Sequence, residues 1–254
     1  MLTNPTIAKL LEMNLKVMAE MLEKPDATTQ DMSFEDRLAM MVEKEWLARK
    51  NKRIKKLLRE AQFIQNACIE DIDYQHKKVA DKKIIQMLSK CIYLEQKLNV
   101  IISGMTGSGK TYLANALGNA ACRQGYKVKY IRMPELLIDI QSARIENRYK
   151  KFMAQIQRYK LLIIDDIGTQ PYSLEESRDI LEITESRYSK ASMILVGQIP
   201  QDKWYDLFPD PTIADAIMDR IIHNSYIISL ETDKSMRQVM AEKVKKSIEG
   251  TNDS

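Results

Sequence analysis

NVIISGMTGSGKT, residues 99–111, carries the reading of this chain. NVIIS is a short apolar run of strand character, and GMTGSGKT (104–111) follows it at once as a full match to G-x-x-x-x-G-K-(S/T). Gly104, Gly107 and Gly109 allow backbone angles and close approaches that a side chain would forbid. The N–H groups along Gly104, Met105, Thr106, Gly107, Ser108 and Gly109 can therefore converge on an anion, and the helix expected from Thr111 adds its positive end. In such a nest Lys110 supplies a cation near the outer phosphates, and the Thr111 hydroxyl can ligate Mg²⁺. Three of only eight glycines fall in this window, so a chance turn is a poor account of it. The pattern predicts a nucleoside polyphosphate site.

A second stretch completes it. LLIIDDIG (161–168) reads as a buried strand with two acids at its C-terminal end, the edge where open α/β sheets bind ligands. Asp165 lies 55 residues after Lys110, with one further strand between them in the chain. Asp165 is suited to hold Mg²⁺ through water, and Asp166 to orient or deprotonate an attacking water. No N-K-x-D guanine-reading motif is present, which favours ATP over GTP.

Outward from these two stretches, strands and helices alternate. KVKYIR (127–132), SMILVGQ (192–198) and YIISL (226–230) read as strands. Thr111–Arg123 reads as a helix ending near Gly125, and Pro134 opens a helical region to about Tyr159. Ser173 with Glu176 forms a capping box for a helix to about Lys190, and 212–223 is helical. The fold class is therefore α/β, a parallel sheet sandwiched by helices.

The first quarter is different. Residues 5–23 read as one helix ended by Lys24-Pro25-Asp26, and Ser33 caps a second helix running to about Gln65. Residues 66–99 are polar, with helical patterning around 84–98. The boundary falls between 66 and 80, giving a small all-α domain (1–70) before the α/β domain (71–254). Within the second helix ARKNKRIKKLLR holds seven basic residues and no acid. Arg49, Lys52, Arg53 and Lys56 share one face, with Lys50 beside them, and helical acidic partners are expected to be missing. This is either a solvated face or a phosphate-backbone surface.

Composition bounds the rest. The chain has 254 residues, 44% apolar and 29% charged, which excludes collagen-like and mainly disordered classes. No apolar run approaches the ~18 residues of a membrane span, and the N-terminus lacks the pattern of a secretory signal, so no membrane partner is expected. Three scattered cysteines suit a reducing, cytoplasmic setting. Residues 100–160 carry eleven Lys/Arg against three Asp/Glu, and residues 161–254 carry ten against seventeen. That polarity is either uneven surface charge or the two sides of a head-to-tail homo-oligomer. Gln198, Arg220 and Arg237 follow the second motif in the chain, and each taken singly also reads as an ordinary surface group.

Together the motifs resemble the AAA+ ATPases, specifically the DnaC/IstB-like branch, and within it the IstB-type helpers of bacterial insertion sequences. GMTGSGKT resembles Walker A, LLIIDDIG Walker B and VGQIPQDKW the sensor-1 region. ADAIMDRIIHN is similar to the helix bearing an arginine finger, SMR to sensor 2, and MSFEDRLAMMVEKEWLARKNKRIKKLLREAQF to the helical N-terminal domain. The resemblance spans about Leu10 to Arg237. It implies that 104–111 bind ATP, Thr111 and Asp165 serve Mg²⁺, and Asp166 takes the catalytic acid position. It further implies Gln198 at sensor 1, Arg220 reaching a neighbour's ATP and Arg237 at sensor 2. Duplex DNA and a cognate transposase are the implied partners, in a bacterial cytoplasm, with Arg144, Arg148, Lys150 and Lys151 as a second DNA surface. Three positions depart from the pattern: Asp166 replaces Glu, Gln198 replaces Asn, and Asp233 stands where Gly is usual. A DnaC-type helicase loader and a nucleotide-gated DNA scaffold with little hydrolysis remain the alternatives.

Overall fold

The computed structural model describes residues 5–24, 32–72, 78–79 and 82–231. Two compact units, residues 1–56 and 57–254, are described in turn. The first holds α1 (Pro5–Glu12), α2 (Lys16–Glu23) and most of α3 (Phe34–Ala61). The single helix expected over 5–23 is broken at Asn14, which adopts φ 61°. The Asn14 N–H donates to Leu11 O and the Leu15 N–H to Leu10 O, which closes α1. Asn tolerates this left-handed conformation better than other residues with a side chain, a local preference that apolar spacing does not reveal. Ser33 caps α3 as expected, its Oγ accepting the Asp36 N–H at 3.1 Å.

The basic run is less bare than the sequence suggests. Glu45 is only 6% exposed. Its Oε2 accepts the Val17 N–H at 2.8 Å, at the positive end of α2, and its Oε1 accepts from Arg49 Nε at 2.8 Å. Arg49 also donates to Asn14 O at 3.0 Å. The Arg49 hydrogen bond, with the α2 amides, holds the Glu45 carboxyl below its ordinary range against the cost of burial. Arg49 thus ties α3 to the α1–α2 turn, and the expectation that helical acidic partners are missing is corrected there. Lys50 lies over the Trp46 ring, 4.8 Å from its centroid.

In the second unit, α3 ends at Ala61 rather than near Gln65, because Gln62 turns to φ 58°. Strands β1 (Lys78–Val79), β2 (Asn99–Gly104), β3 (Val128–Arg132), β4 (Leu161–Ile167), β5 (Ser192–Gly197) and β6 (Ser225–Glu231) form one sheet, ordered β1-β6-β2-β5-β4-β3. β2 to β6 are parallel, and β1, absent from the sequence reading, joins the β6 edge antiparallel. The remaining helices are α4 (Lys82–Ser89), α5 (Ile92–Glu95), α6 (Lys110–Arg123), α7 (Met133–Ile145), α8 (Tyr149–Gln157), α9 (Leu174–Arg187) and α10 (Pro211–Ile222). Two expected helical regions are each broken by a left-handed residue, Cys91 at φ 60° and Asn147 at φ 54°. The capping box of Ser173 and Glu176 is present with both its hydrogen bonds.

Side-chain alternation fills both faces of the sheet. Val100, Ile102, Ile163, Ile194 and Val196 pack with Leu113 and Leu117 of α6, whereas Ile101, Leu162, Ile164 and Leu195 pack with α7, α9 and α10. Leu57, Ala61 and Ile72 belong to the α6-side core, so the units part at Lys56/Leu57, inside α3 and ahead of the 66–80 boundary read from composition. Gly118 lets α6 approach closely: a Cβ there would meet Phe63 at 2.6 Å and Ile163 at 2.7 Å.

Candidate nucleotide site

The loop between β2 and α6 has the backbone its glycines promised. Gly104, Gly107 and Gly109 all have positive φ, at 146°, 80° and 90°. A Cβ on Gly104 would stand 2.3 Å from Leu230 O, so only glycine fits where β2 leaves β6. Ser108 is fully buried within the loop, and its Oγ has no hydrogen-bond partner among the described residues. Lys110 is 8% exposed, and its Nζ donates to Gly104 O at 2.7 Å and Met105 O at 2.8 Å. Desolvation lowers its pKa, opposed by the charges of Asp165 and Asp166. The ammonium therefore lies folded over its own loop, held by two of its carbonyls.

β5 separates β2 from β4, yet the first acid of β4, Asp165, reaches the loop helix. Thr111 Oγ1 donates to Asp165 Oδ2 at 2.7 Å, and Asp165 is 3% exposed. Between Ile164 and Ile167, β4 carries one more residue than β5, a bulge containing both acids. Asp166 takes φ 60° there, a rare conformation that redirects its side chain. Its carboxylate accepts from Arg132 Nε at 2.6 Å. That bond, with the Asp166 charge, raises the Arg132 pKa. Tyr130 adds a second donor to Asp165 Oδ2, at 2.9 Å. Burial first, then Asp165, pushes the Tyr130 phenol upward, so it stays a donor.

These residues fit a magnesium nucleotide. Among the described residues no three His, Cys, Asp or Glu converge on a metal. The ion would instead rest on Thr111, substrate oxygens and water held by Asp165, the mixed coordination Mg²⁺ favours. The buried, orphaned Ser108 hydroxyl and the three positive-φ glycines are features that a phosphate-binding loop would use.

The other expected site residues divide. Gln198, just after β5, lies at the loop and accepts from Thr106 Oγ1 at 3.0 Å. Arg220, in the last turn of α10, donates to Ala216 O at 2.7 Å and pairs with Glu185 of α9 at 3.0 Å. Arg237 and Asp233 lie outside the described residues. Tyr130 and Arg132 were not found from the sequence, because nothing local says that β3 lies beside β4.

The second basic set is partly engaged within the protein. Arg144 makes a forked pair with Asp179, bonds Glu175 at 3.2 Å and lies 4.7 Å over the Tyr149 ring, and Arg148 pairs with Glu146. Lys150 and Lys151 are exposed on α8. Asp179 is 2% exposed, and burial raises its carboxyl pKa while Arg144 opposes the rise. Replacing Arg144 with alanine is expected to cost about 2 kcal/mol of stability, since a buried carboxylate loses its partner. Thermal unfolding should fall by ~4–8 °C; an unchanged midpoint would refute this role.

None of the described helices is long and apolar enough to cross a membrane. Among solved structures the fold resembles DnaI (TM-score 0.57, 18% identity, covering 70% of this chain and 94% of that one). It also resembles replication initiator DnaA bound to AMPPCP and single-stranded DNA (TM-score 0.59, 19% identity, 73% and 56%). The fold they share with this chain is a parallel sheet packed between helices. In sequence, the chain is 34% identical over 239 residues to an insertion sequence ATP-binding protein of Sinorhizobium fredii, covering 93% of this chain and 98% of the relative. It is 30% identical over 205 residues to the insertion sequence IS21 ATP-binding protein of Pseudomonas aeruginosa, covering 81% and 77%. With residues 8–244 matching the family described as IstB-like ATP binding protein, this chain belongs to that family.

Proposed function

We propose that this protein is an ATP-hydrolysing, duplex-DNA-binding helper of transposition. ATP-bound subunits assemble head to tail on DNA and recruit or stimulate a transposase. The observation that supports the chemistry is the Thr111–Asp165 hydrogen bond of 2.7 Å beneath a phosphate loop, with Asp166 one residue beyond. Mg²⁺, when bound, would neutralise charge on the terminal phosphates. Lys110 would neutralise the outer phosphate oxygens, and Gln198, from the strand end beside the loop, would sense the γ-phosphate. Asp166 would orient the attacking water and accept its proton. In this reading Arg132 holds Asp166 in a resting state, which favours slow, stimulated turnover. Arg220 would leave Glu185 to reach the ATP of the next subunit, so hydrolysis waits on assembly. Arg237 would act as sensor 2.

Relatives named as insertion sequence ATP-binding proteins support the transposition setting. For DNA contact we assign Arg49, Lys50, Lys52, Arg53 and Lys56 on α3, and Arg144, Arg148, Lys150 and Lys151 around α8. Arg49, Arg144 and Arg148 also hold internal carboxylates, so Lys150 and Lys151 are the cleaner test. A gel-shift titration on duplex DNA with and without ATP tests the whole reading: absent or nucleotide-independent binding overturns it. Neutralising Lys150 and Lys151 is expected to weaken binding across all sequences. If each contacts one phosphate, the slope of log K against log salt should flatten by about 2. An unchanged slope would mean this pair does not touch phosphates.

A further inference from the structure

The carboxylate of Asp165 is gripped from more than one side. Its Oδ2 accepts from Thr111 Oγ1 at 2.7 Å and from Tyr130 OH at 2.9 Å, while Oδ1 accepts the Asp166 N–H at 2.8 Å. We propose that Tyr130 is a positioning residue for the metal side of the nucleotide site, its phenol fixing the Asp165 carboxylate against Thr111 so that the pair is arranged for a magnesium nucleotide before it arrives. This rests on the nucleotide reading above.

Three observations carry the assignment. First, position: Tyr130 pairs in register with Ile163, and Arg132 with Asp165, on adjacent parallel strands. In-register neighbours share a face, so the Tyr130 ring runs along the α6 side of the sheet toward a carboxylate two residues further on. Second, cost: Tyr130 is 4% exposed in a core it shares with Val128, Leu161 and Ile163. A phenylalanine would fill that space with no polar group to desolvate, so the hydroxyl is unnecessary for packing and is stabilised by Asp165. Third, division of labour: Asp165 stands in a bulge, where the ladder to β5 no longer restrains it. Of its two side-chain donors, Thr111 is the one a metal ion would engage. Tyr130 comes from β3, separated from β2 and its loop by β5 and β4, and can keep its bond whether or not the site is filled. A carboxylate held this way loses little orientational freedom when a hydrated ion binds.

The test is Tyr130→Phe in the full chain, read by equilibrium binding of a fluorescent ATP analogue across a Mg²⁺ series and in EDTA. The half-saturating Mg²⁺ concentration is expected to rise about tenfold, the lower end of what such outer-sphere partners contribute to metal affinity. Affinity in EDTA should stay within about twofold of the unmodified protein. In an Asp165→Asn background the same substitution should add no further shift, because its effect runs through that carboxylate. A Mg²⁺ curve that superimposes on the unmodified one, an equal loss with and without Mg²⁺, or an additive loss in the Asp165→Asn background each overturns the role of Tyr130 and leaves the nucleotide site standing. If the unmodified protein shows no Mg²⁺-dependent binding, the nucleotide reading falls and this proposal with it.

Discussion

Replacing Arg220 with alanine is expected to lower ATP turnover by about 10³-fold while leaving ATP binding intact, because a guanidinium delivered to the transferring phosphoryl group is worth ~10³–10⁵ in rate. The guanidinium now pairs with Glu185, and its side chain is 28% exposed. Neither partner belongs to this subunit's phosphate loop, so loss of Arg220 leaves the cradle formed by Gly104 to Thr111 untouched. The decisive measurement is a mixture with a second inactive variant, Lys110→Ala. A Lys110→Ala subunit still carries Arg220, and an Arg220→Ala subunit still carries an intact loop. Mixed on DNA, the two should regain a fraction of the activity that neither has alone. No regain would mean that Arg220 acts within its own chain or not at all, and the coupling of hydrolysis to assembly would be lost with it.

Asp166→Asn is expected to reduce turnover about 100-fold, the loss typical when a positioned proton acceptor is removed. Asparagine is one of the few residues that accept φ near 60°, so the bulge that places this position should survive. The amide also loses the charge that Arg132 pairs with, so any rate that depended on releasing that pair should no longer do so. Bound ATP should persist, and the ATP-dependent DNA complex should last longer than that of the unmodified protein. Equal turnover in the two proteins would make Asp166 a structural residue and favour a scaffold that binds nucleotide without consuming it.

The phosphate loop, the acid strand and the capping box of Ser173 and Glu176 were legible along the chain because each is a local event. A glycine pattern, four apolar residues in a row and a hydroxyl three residues before a carboxylate need no distant partner to be read. Helix interruptions were less legible. Asn14, Cys91 and Asn147 break helices through a left-handed backbone that leaves the apolar spacing on either side unchanged. The N-terminal boundary is hard to read for a related reason: polarity changes after residue 65, whereas Leu57 and Ala61 already belong to the core on the α6 side of the sheet.

The site shows the same division more sharply. Lys110, Thr111 and Asp165 could be singled out from spacing, and the structure brings Thr111 and Asp165 into a hydrogen bond beside Lys110's loop. That Tyr130 and Arg132 serve the two acids could not, because a strand's neighbour is chosen by packing on both sheet faces. The order β2-β5-β4-β3 puts Gln198 beside the loop and β3 beside the acids, although β5 is far from β2 in the chain. Charge was the least legible property of all. Arg49 and Arg144 look like free cations in the sequence, yet each meets a buried carboxylate, Glu45 or Asp179, because a chain that buries an anion must bring it a partner. Chemistry that resides in a short motif travels with the residues themselves, whereas the partners of those residues exist only once distant strands and helices have been pressed together.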